Sequence, residues 1–434
     1  GTFVVCLRRI QLLEPGAETA QSRGLYRALL VLSPALAALT IAFCSWTSRG
    51  FEVALVALIA LLAFMEALRP RGARPLVLAL FLGMAVWARM DAALYCIPAA
   101  LVFAERCLRA RAGRDFLLAV VVALGLIAAL FVLRFVYFTE WLPNTYYLKA
   151  THWPLAMRLP RGIGQNVVAV VACLVGLPPL AWVLLRRASP ARVAIGAALL
   201  THAAVVTYST CLGGDFSFES FGYDRFTCVS AVFLMLGLVA FVSVTPLSSL
   251  ARGSFACWSL GVLVLPVMLR PPTLFSLERP LDIFTMRAIP WQEFMSRGEL
   301  HPVDNFAQLF VYYGKISARV TLPSARIAVC GAGATIYFSH RGGVDLLGKM
   351  DPQIARLPAT NAPPPERRCW QGHAGHNKES LSLSFATHAP DLSLVAPPKV
   401  AEPTYVAFKY GYIDMWARVG SPYIRWDVVQ RHQL

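Results

Sequence analysis

The sequence predicts a polytopic α-helical membrane protein that ends in an α/β domain, and three observations predict it. The 434 residues are 57% hydrophobic and only 15% charged, where soluble domains carry roughly a quarter charged. Apolar runs long enough to cross a bilayer recur up to about residue 270. Beyond that point Pro, Gly, His and Asp become frequent and the apolar runs shrink to strand length. The domain plan is therefore a helical bundle over 1–270 and an α/β domain over 271–434.

Taken in order, the chain opens on "GTFVVCLRR", which reads as the last turns of a helix meeting the cytoplasm. The N-terminus is thus expected to be truncated, with the first helices and the first outer loop lying before Gly1. Spanning runs follow near 27–46, 52–68, 117–138, 165–185, 193–211, 227–247 and 255–270, with shorter ones at 75–88 and 93–105. Arginine-rich connections hold Arg8 and Arg9, Arg69, Arg71 and Arg74, Arg106 to Arg114, Arg186 to Arg192, and Arg252. Placing these in the cytoplasm gives one consistent alternation. It also explains much of the +16 net charge without nucleic acid, for which no basic stripe with interleaved aromatics exists.

The same alternation sends "WTSRGFE" (46–52), "ARMDAALY" (88–95), "FTEWLPNTYYLKATHW" (138–153), "LGGDFSFESFGYDRF" (212–226) and everything after about 271 to the opposite face. The 75–88 run rises about 21 Å as a helix, against a core of about 30 Å. With arginines flanking both short runs, the pair is expected to form a hairpin whose turn holds Arg89 and Asp91 inside the protein. A buried Arg–Asp pair at that depth lines a cavity or ties helices together.

In the outer domain, "ARIAVCGAG" followed by "ATIYFSHRGGVDLLG" reads as strand, glycine turn, short helix and strand, and "EPTYVAFKYGYIDMW" as one or two terminal strands. Ten cysteines are spread thinly with no CxxC, so structural zinc is not expected; Cys330 and Cys369 can pair if this part is extracytoplasmic. His340, His373, His376 and His388 form no metal-ligand spacing, and no metal site is expected.

Two outer stretches carry the chemistry. Arg134, near the outer end of its span, precedes Glu140, Pro143, Asn144, Tyr146, Lys149 and His152. Cations attract phosphate, amides and hydroxyls hydrogen-bond polar headgroups, and aromatics stack on sugars or prenyl chains, although any interfacial loop holds some of these. In "GGDFSFESFGYDRF", Gly213 and Gly214 allow a sharp turn beneath Asp215, and Asp224 and Arg225 stand at the entry to the next helix. An acid and an arginine there suit an acceptor hydroxyl and a phosphate; the plainer alternative is a solvated loop with a capping Asp.

"WTSRGFEVAL", "ARMDAAL", "LPNTYYLK" and "GGDFSFESFGYDRF", with "GAGATIYFS", "VDLLGKMDPQIAR", "QGHAGHNKES" and "APDL", run in one order over nearly the whole chain. Together they resemble the GT-C superfamily of integral-membrane glycosyltransferases, most of all the mycobacterial terminal arabinofuranosyltransferase family and its bacterial relatives. The resemblance implies a GT-C-like bundle in a bacterial inner membrane with its C-terminal domain in the periplasm. It implies transfer of a sugar, a pentofuranose among the candidates, from a polyprenyl-phosphate donor to a glycan or glycolipid acceptor, usually with inversion. It implies no certain cofactor and allows a divalent cation. Carried onto this chain, Asp91 and Asp215 are candidate bases, although the family's most telling acids would precede Gly1. Arg134, Lys149 and Arg225 are candidates for the donor phosphate, and Glu52, Arg89, Asn144, Tyr146 and Asp224 for the sugar and acceptor pocket. Asp345 and Asp351 of the outer domain either contact acceptor or serve as turn acids. Arg49 and Met90 depart from the family pattern. Two other readings fit the composition, a polar-lipid transporter or flippase and an inactive membrane scaffold. No internal duplication of the kind common in transporters is visible.

Overall fold

The computed structural model describes residues 2–13, 52–70, 72–185, 189–215, 224–245, 251, 254–255, 257–259, 306–331, 333–359, 375–411 and 413–432. The expected spans at 27–46 and most of 255–270, Arg49, Cys369 and His373 lie outside them. Two compact units emerge: Gly1–Trp141 with Arg158–Leu277, and Leu142–Met157 with Glu278–Leu434. The segment Leu142–Met157 therefore groups with the C-terminal unit, where the sequence reading left it with the bundle.

The first unit is helical: α1 Thr2–Leu12, α2 Val53–Ala67, α3 Pro75–Ala88, a 3₁₀ turn Met90–Cys96, α4 Ile97–Ala110 and α5 Gly113–Phe138. In the second unit, α6 covers Asn144–Ala150. Helix α7, Leu155–Gln165, begins in that unit and runs from Arg158 onward in the first, which continues with α8 Val167–Leu185, α9 Pro190–Cys211 and α10 Thr227–Val244. Helices α5, α8, α9 and α10 are each long and apolar enough to cross a membrane.

These helices start where local chemistry allows. Ser189 accepts from the Arg192 N–H with Pro190 in the first turn, a side-chain cap joined to a pre-set φ. Helix α10 is buried nearly throughout, and Gly237 lets it meet Leu199 of α9, where an added Cβ would lie 2.9 Å from that side chain. Helix α5 is the opposite case. Leu117, Val121, Leu124, Val132 and Val136 form an exposed stripe, and Phe116, Leu118, Leu133 and Phe135 are exposed on its other sides, a surface suited to hydrocarbon and not to water.

At the far ends of α2 and α4 the arginines have structural partners. Arg106 donates to the Ala67 carbonyl at 2.7 Å and Arg9 to the Met65 carbonyl, both in the last turn of α2. Glu66 takes two bonds from the Arg74 side chain at 3.1 and 3.0 Å. The basic connections predicted from charge alone thus also cap and neutralise helix ends.

The second unit joins α6 to α11 Phe306–Val320, β1 Arg326–Val329, α12 Ala334–Ser339, β2 Gly342–Asp345, α13 Pro352–Ala355, α14 Leu381–His388, β3 Leu392–Ser393, β4 Tyr405–Tyr410, β5 Ile413–Arg418 and α15 Trp426–Arg431. The five strands form one mixed sheet in the order β2-β1-β3-β5-β4. Strand β1 pairs parallel with β2 and β3, and β5 pairs antiparallel with β3 and β4. The strand–turn–helix–strand reading of 325–348 holds, and the terminal segment is two strands. Tyr312 and Ile316 of α11 close the core against Ile327, Leu392, Phe408 and Met415.

Candidate functional site

In the first unit, four chain segments bring their charges together. Helix α3 ends at Ala88, and Arg89 follows in extended backbone before the 3₁₀ turn. That geometry lets its guanidinium fold back on Asp91, with Nε 2.6 Å from Oδ1 and Nη2 2.7 Å from Oδ2. Its Nη1 lies 3.2 Å from Oε1 of Glu52, just before α2, and its face lies 4.4 Å from the Phe226 ring centre. Arg89 thus spends its fork on two carboxylates and its π-face on a ring, and its side chain is only 10% exposed.

The return from α9 supplies the second pair. Gly213 and Gly214 take φ of +90° and +72°, and a Cβ on Gly214 would lie 2.6 Å from Gln165. This left-handed turn, open to glycine, sets Asp215 where Arg225 Nε reaches its Oδ2 at 2.7 Å. The Asp215 charge holds the Arg225 guanidinium above its ordinary pKa. Arg225 also lies 5.4 Å from the Phe226 ring, so both guanidiniums share that side chain. Tyr95, fully buried, donates its hydroxyl to the Phe226 carbonyl at 2.9 Å.

Asp224 stands differently. It has no exposed surface; its Oδ1 accepts from the N–H groups of Phe226 and Thr227 at 2.9 and 2.7 Å and from the Thr227 hydroxyl at 2.8 Å. Ser209 donates to its Oδ2, and Asn166 donates to Ser209 at 3.1 Å. Burial, and behind it the Asp215 charge, raises the Asp224 pKa. Asp224 is the capping acid of α10, the plainer of its two sequence readings, and not a lining residue of an open pocket.

Of the other candidates, Arg134 stands near the end of α5, its guanidinium 5.5 Å from the Phe138 ring. Asn144, Tyr146 and Lys149 belong to α6 in the second unit. Tyr146 is exposed and meets Tyr147 edge-on, while Lys149 is buried and its stem runs beside Gly375. The residue that organises this region is one the sequence reading passed over. Lys378, fully buried, donates to the carbonyls of Tyr147, Thr151 and Ala355 at 2.6, 2.7 and 3.0 Å. Arg356 covers the Tyr147 ring at 4.2 Å. The signal was a lysine between two strongly polar residues in "HNKES", unreadable without its partners.

Asp345 accepts from the Leu347 and Met350 N–H groups, and Asp351 caps α13 while pairing with His388 at 2.8 Å. Both are turn acids. Cys330 is disulfide-bonded, and its expected partner Cys369 is outside the described residues. Among the described residues no three His, Cys, Asp or Glu side chains gather as metal ligands. With Asp91 and Asp215 each held by a guanidinium, the residues present do not fit a divalent cation there. The chain matches no family model, no curated protein and no solved structure.

Proposed function

We propose that the chain is a membrane glycosyltransferase that moves a sugar from a polyprenyl-phosphate donor to an acceptor hydroxyl outside the cytoplasm, as the sequence resemblance implies. The observation that supports it is the convergence of Glu52, Arg89, Asp91, Asp215 and Arg225 at the ends of apolar helices, where charge is costly and seldom kept without a task. The Cys330 disulfide supports an oxidising, extracytoplasmic setting for the second unit.

Within the cluster the carboxylates divide the work. Asp91 and Asp215 are 11% and 12% exposed and bound to guanidiniums, whereas Glu52 is 34% exposed with one oxygen on Arg89. Glu52 is the base: it takes the acceptor proton as the oxygen attacks the anomeric carbon. The bond from that carbon to the phosphate oxygen breaks, and polyprenyl phosphate leaves with the electron pair. Arg225, the more exposed guanidinium, steadies the developing charge. Asp91 and Asp215 hold the two arginines in position.

The test is transfer from labelled polyprenyl-phosphate sugars by the purified, reconstituted protein. Glu52→Gln is expected to lower turnover about 100-fold or more, the usual weight of a general base, with an unchanged melting temperature. Undiminished turnover in that variant removes the base assignment. Absence of transfer from every polyprenyl-phosphate sugar removes the reading itself.

A further inference from the structure

Where α2 turns into α3, one carboxylate faces two guanidiniums. Glu66, buried in the last turn of α2, takes the Arg74 backbone N–H at 2.8 Å and the Nε and Nη2 of the same arginine at 3.1 and 3.0 Å. Those three bonds satisfy the carboxylate and pin the connection between the helices. Arg69 is left over. Its Nη1 lies 3.6 Å from Glu66 Oε1, beyond hydrogen-bond reach, and its side chain makes no hydrogen bond among the described residues. Two cations thus stand against one acid, and Arg9 and Arg106, donating to carbonyls in the last turn of α2, add to the surplus.

The surplus charge lies beside a cavity of about 480 Å³, the size of a small-ligand site. Arg69 and Arg74 line it together with Pro75, Leu76 and Val77 of α3 and Leu118 of α5. Leu76 also begins a stripe, because Leu80, Met84 and Trp87 follow it at helical spacing and are likewise exposed. The Trp87 indole donates to the Leu126 carbonyl of α5 at 2.8 Å, and a Cβ on Gly83 would lie 2.6 Å from the Leu126 side chain. The two helices touch there, and the cavity lies two turns nearer Arg69, between Leu76 and Leu118. Cations and apolar wall therefore line the same space.

We propose that this cavity binds an anionic phospholipid, with its phosphate against Arg69 and an acyl chain against Leu76 and Leu118. Basic pockets between apolar helices recognise anionic headgroups by charge, and the surrounding bilayer supplies the ligand. Arg74 and Arg89 flank opposite ends of the 14-residue α3, about 21 Å apart along its axis, so the cavity is distinct from the charge cluster. Lipid binding here does not depend on sugar transfer there, and either can fail alone.

The full chain, purified in detergent, is titrated with phosphatidylglycerol or phosphatidylcholine of identical acyl chains, and bound lipid is counted by native mass spectrometry. Phosphatidylglycerol is expected to bind about 5-fold more tightly, the usual weight of one basic residue beside anionic lipid, and Arg69→Gln to remove that advantage. Arg69→Lys should keep it, since charge is what attracts the headgroup. Arg431→Gln, which removes an exposed charge from the second unit, is the control and should bind both lipids as the parent does. Glycerophosphoglycerol, the same headgroup without tails, should not displace the lipid at equal concentration. Equal binding of the two phospholipids by the parent overturns the proposal without any variant having to fold. An advantage undiminished in Arg69→Gln, or lost equally in Arg431→Gln, overturns the site. Displacement by glycerophosphoglycerol assigns the cavity to a free phosphate ester and overturns the lipid part. A dimer that takes up no lipid assigns the space to a second copy and overturns the proposal as well.

Discussion

Arg89 and the Arg158–Arg161 pair sit in one helical unit and meet burial in opposite ways. Arg89 is enclosed by a bidentate Asp91, a contact to Glu52 and the face of Phe226. Arg158 and Arg161 are half-buried with enclosed Nε atoms that bond to nothing described. A guanidinium whose donors are met by the protein's own carboxylates is part of the scaffold. One held inward with an unmet donor adds nothing of that kind to the scaffold. The comparison separates cations whose donors the fold satisfies from cations with a buried donor it leaves unmet, although composition gives all of them the same letter.

The comparison breaks most readily at Arg89. Arg89→Met leaves Asp91 enclosed without its counterion, and losing one partner of a buried pair typically costs about 3–5 kcal/mol. The variant should melt far below the parent or fail to accumulate as a monodisperse species in detergent. Arg89→Met/Asp91→Leu should recover most of the loss, because removing both charges also removes their desolvation. A single variant that melts with the parent would show that the pair does not hold the turn.

Lys378 offers a cation of a third kind, bound by backbone carbonyls alone. Lys378→Met strands these acceptors at about 1–3 kcal/mol for each one left unsatisfied. Tyr147 keeps its bond from the Thr151 hydroxyl, so a loss of roughly 3 kcal/mol is expected. The pH dependence gives a sharper signature. Burial lowers the Lys378 pKa from 10.5 to about 8, so between those values the unfolded chain binds more protons than the folded one. Stability therefore rises with pH across that window in the parent. Chemical denaturation at pH 7.5 and 10 should show this rise flattened in Lys378→Met; an identical pH slope in both proteins would sink the assignment.

How much of this was readable beforehand differs by residue. The Arg–Asp turn between the short runs at 75–88 and 93–105 was legible because charges inside an apolar stretch too short to span leave few alternatives. The parallel β1–α12–β2 unit was legible from its glycine turn and its change of period. The membership of Leu142–Met157 was not, because the lysine that organises that segment lies 231 residues from Tyr147. Asp224 could be read as a cap or as a pocket acid, and only its bonds to Phe226, Thr227 and Ser209 decide between them. The arginines of α7 were overlooked because the sequence reading ended the outer stretch at Trp153 and began the next span at 165, leaving them between the two. Their spacing against Leu159 and Ile163 was the available clue, but which face turns inward depends on Gly162 meeting Thr210.

The finest test of the comparison is thermal melting of Arg158→Gln/Arg161→Gln in lipid-free detergent. If these arginines built the fold, removing both charges would lower stability as at Arg89. They bind no described carboxylate, so their loss removes no counterion. The expected change is within about 0.5 kcal/mol of the parent, in the range of substitutions that break no buried interaction. A variant that melts several degrees lower would place Arg158 and Arg161 beside Arg89 as scaffold, and the distinction between the two regions would collapse.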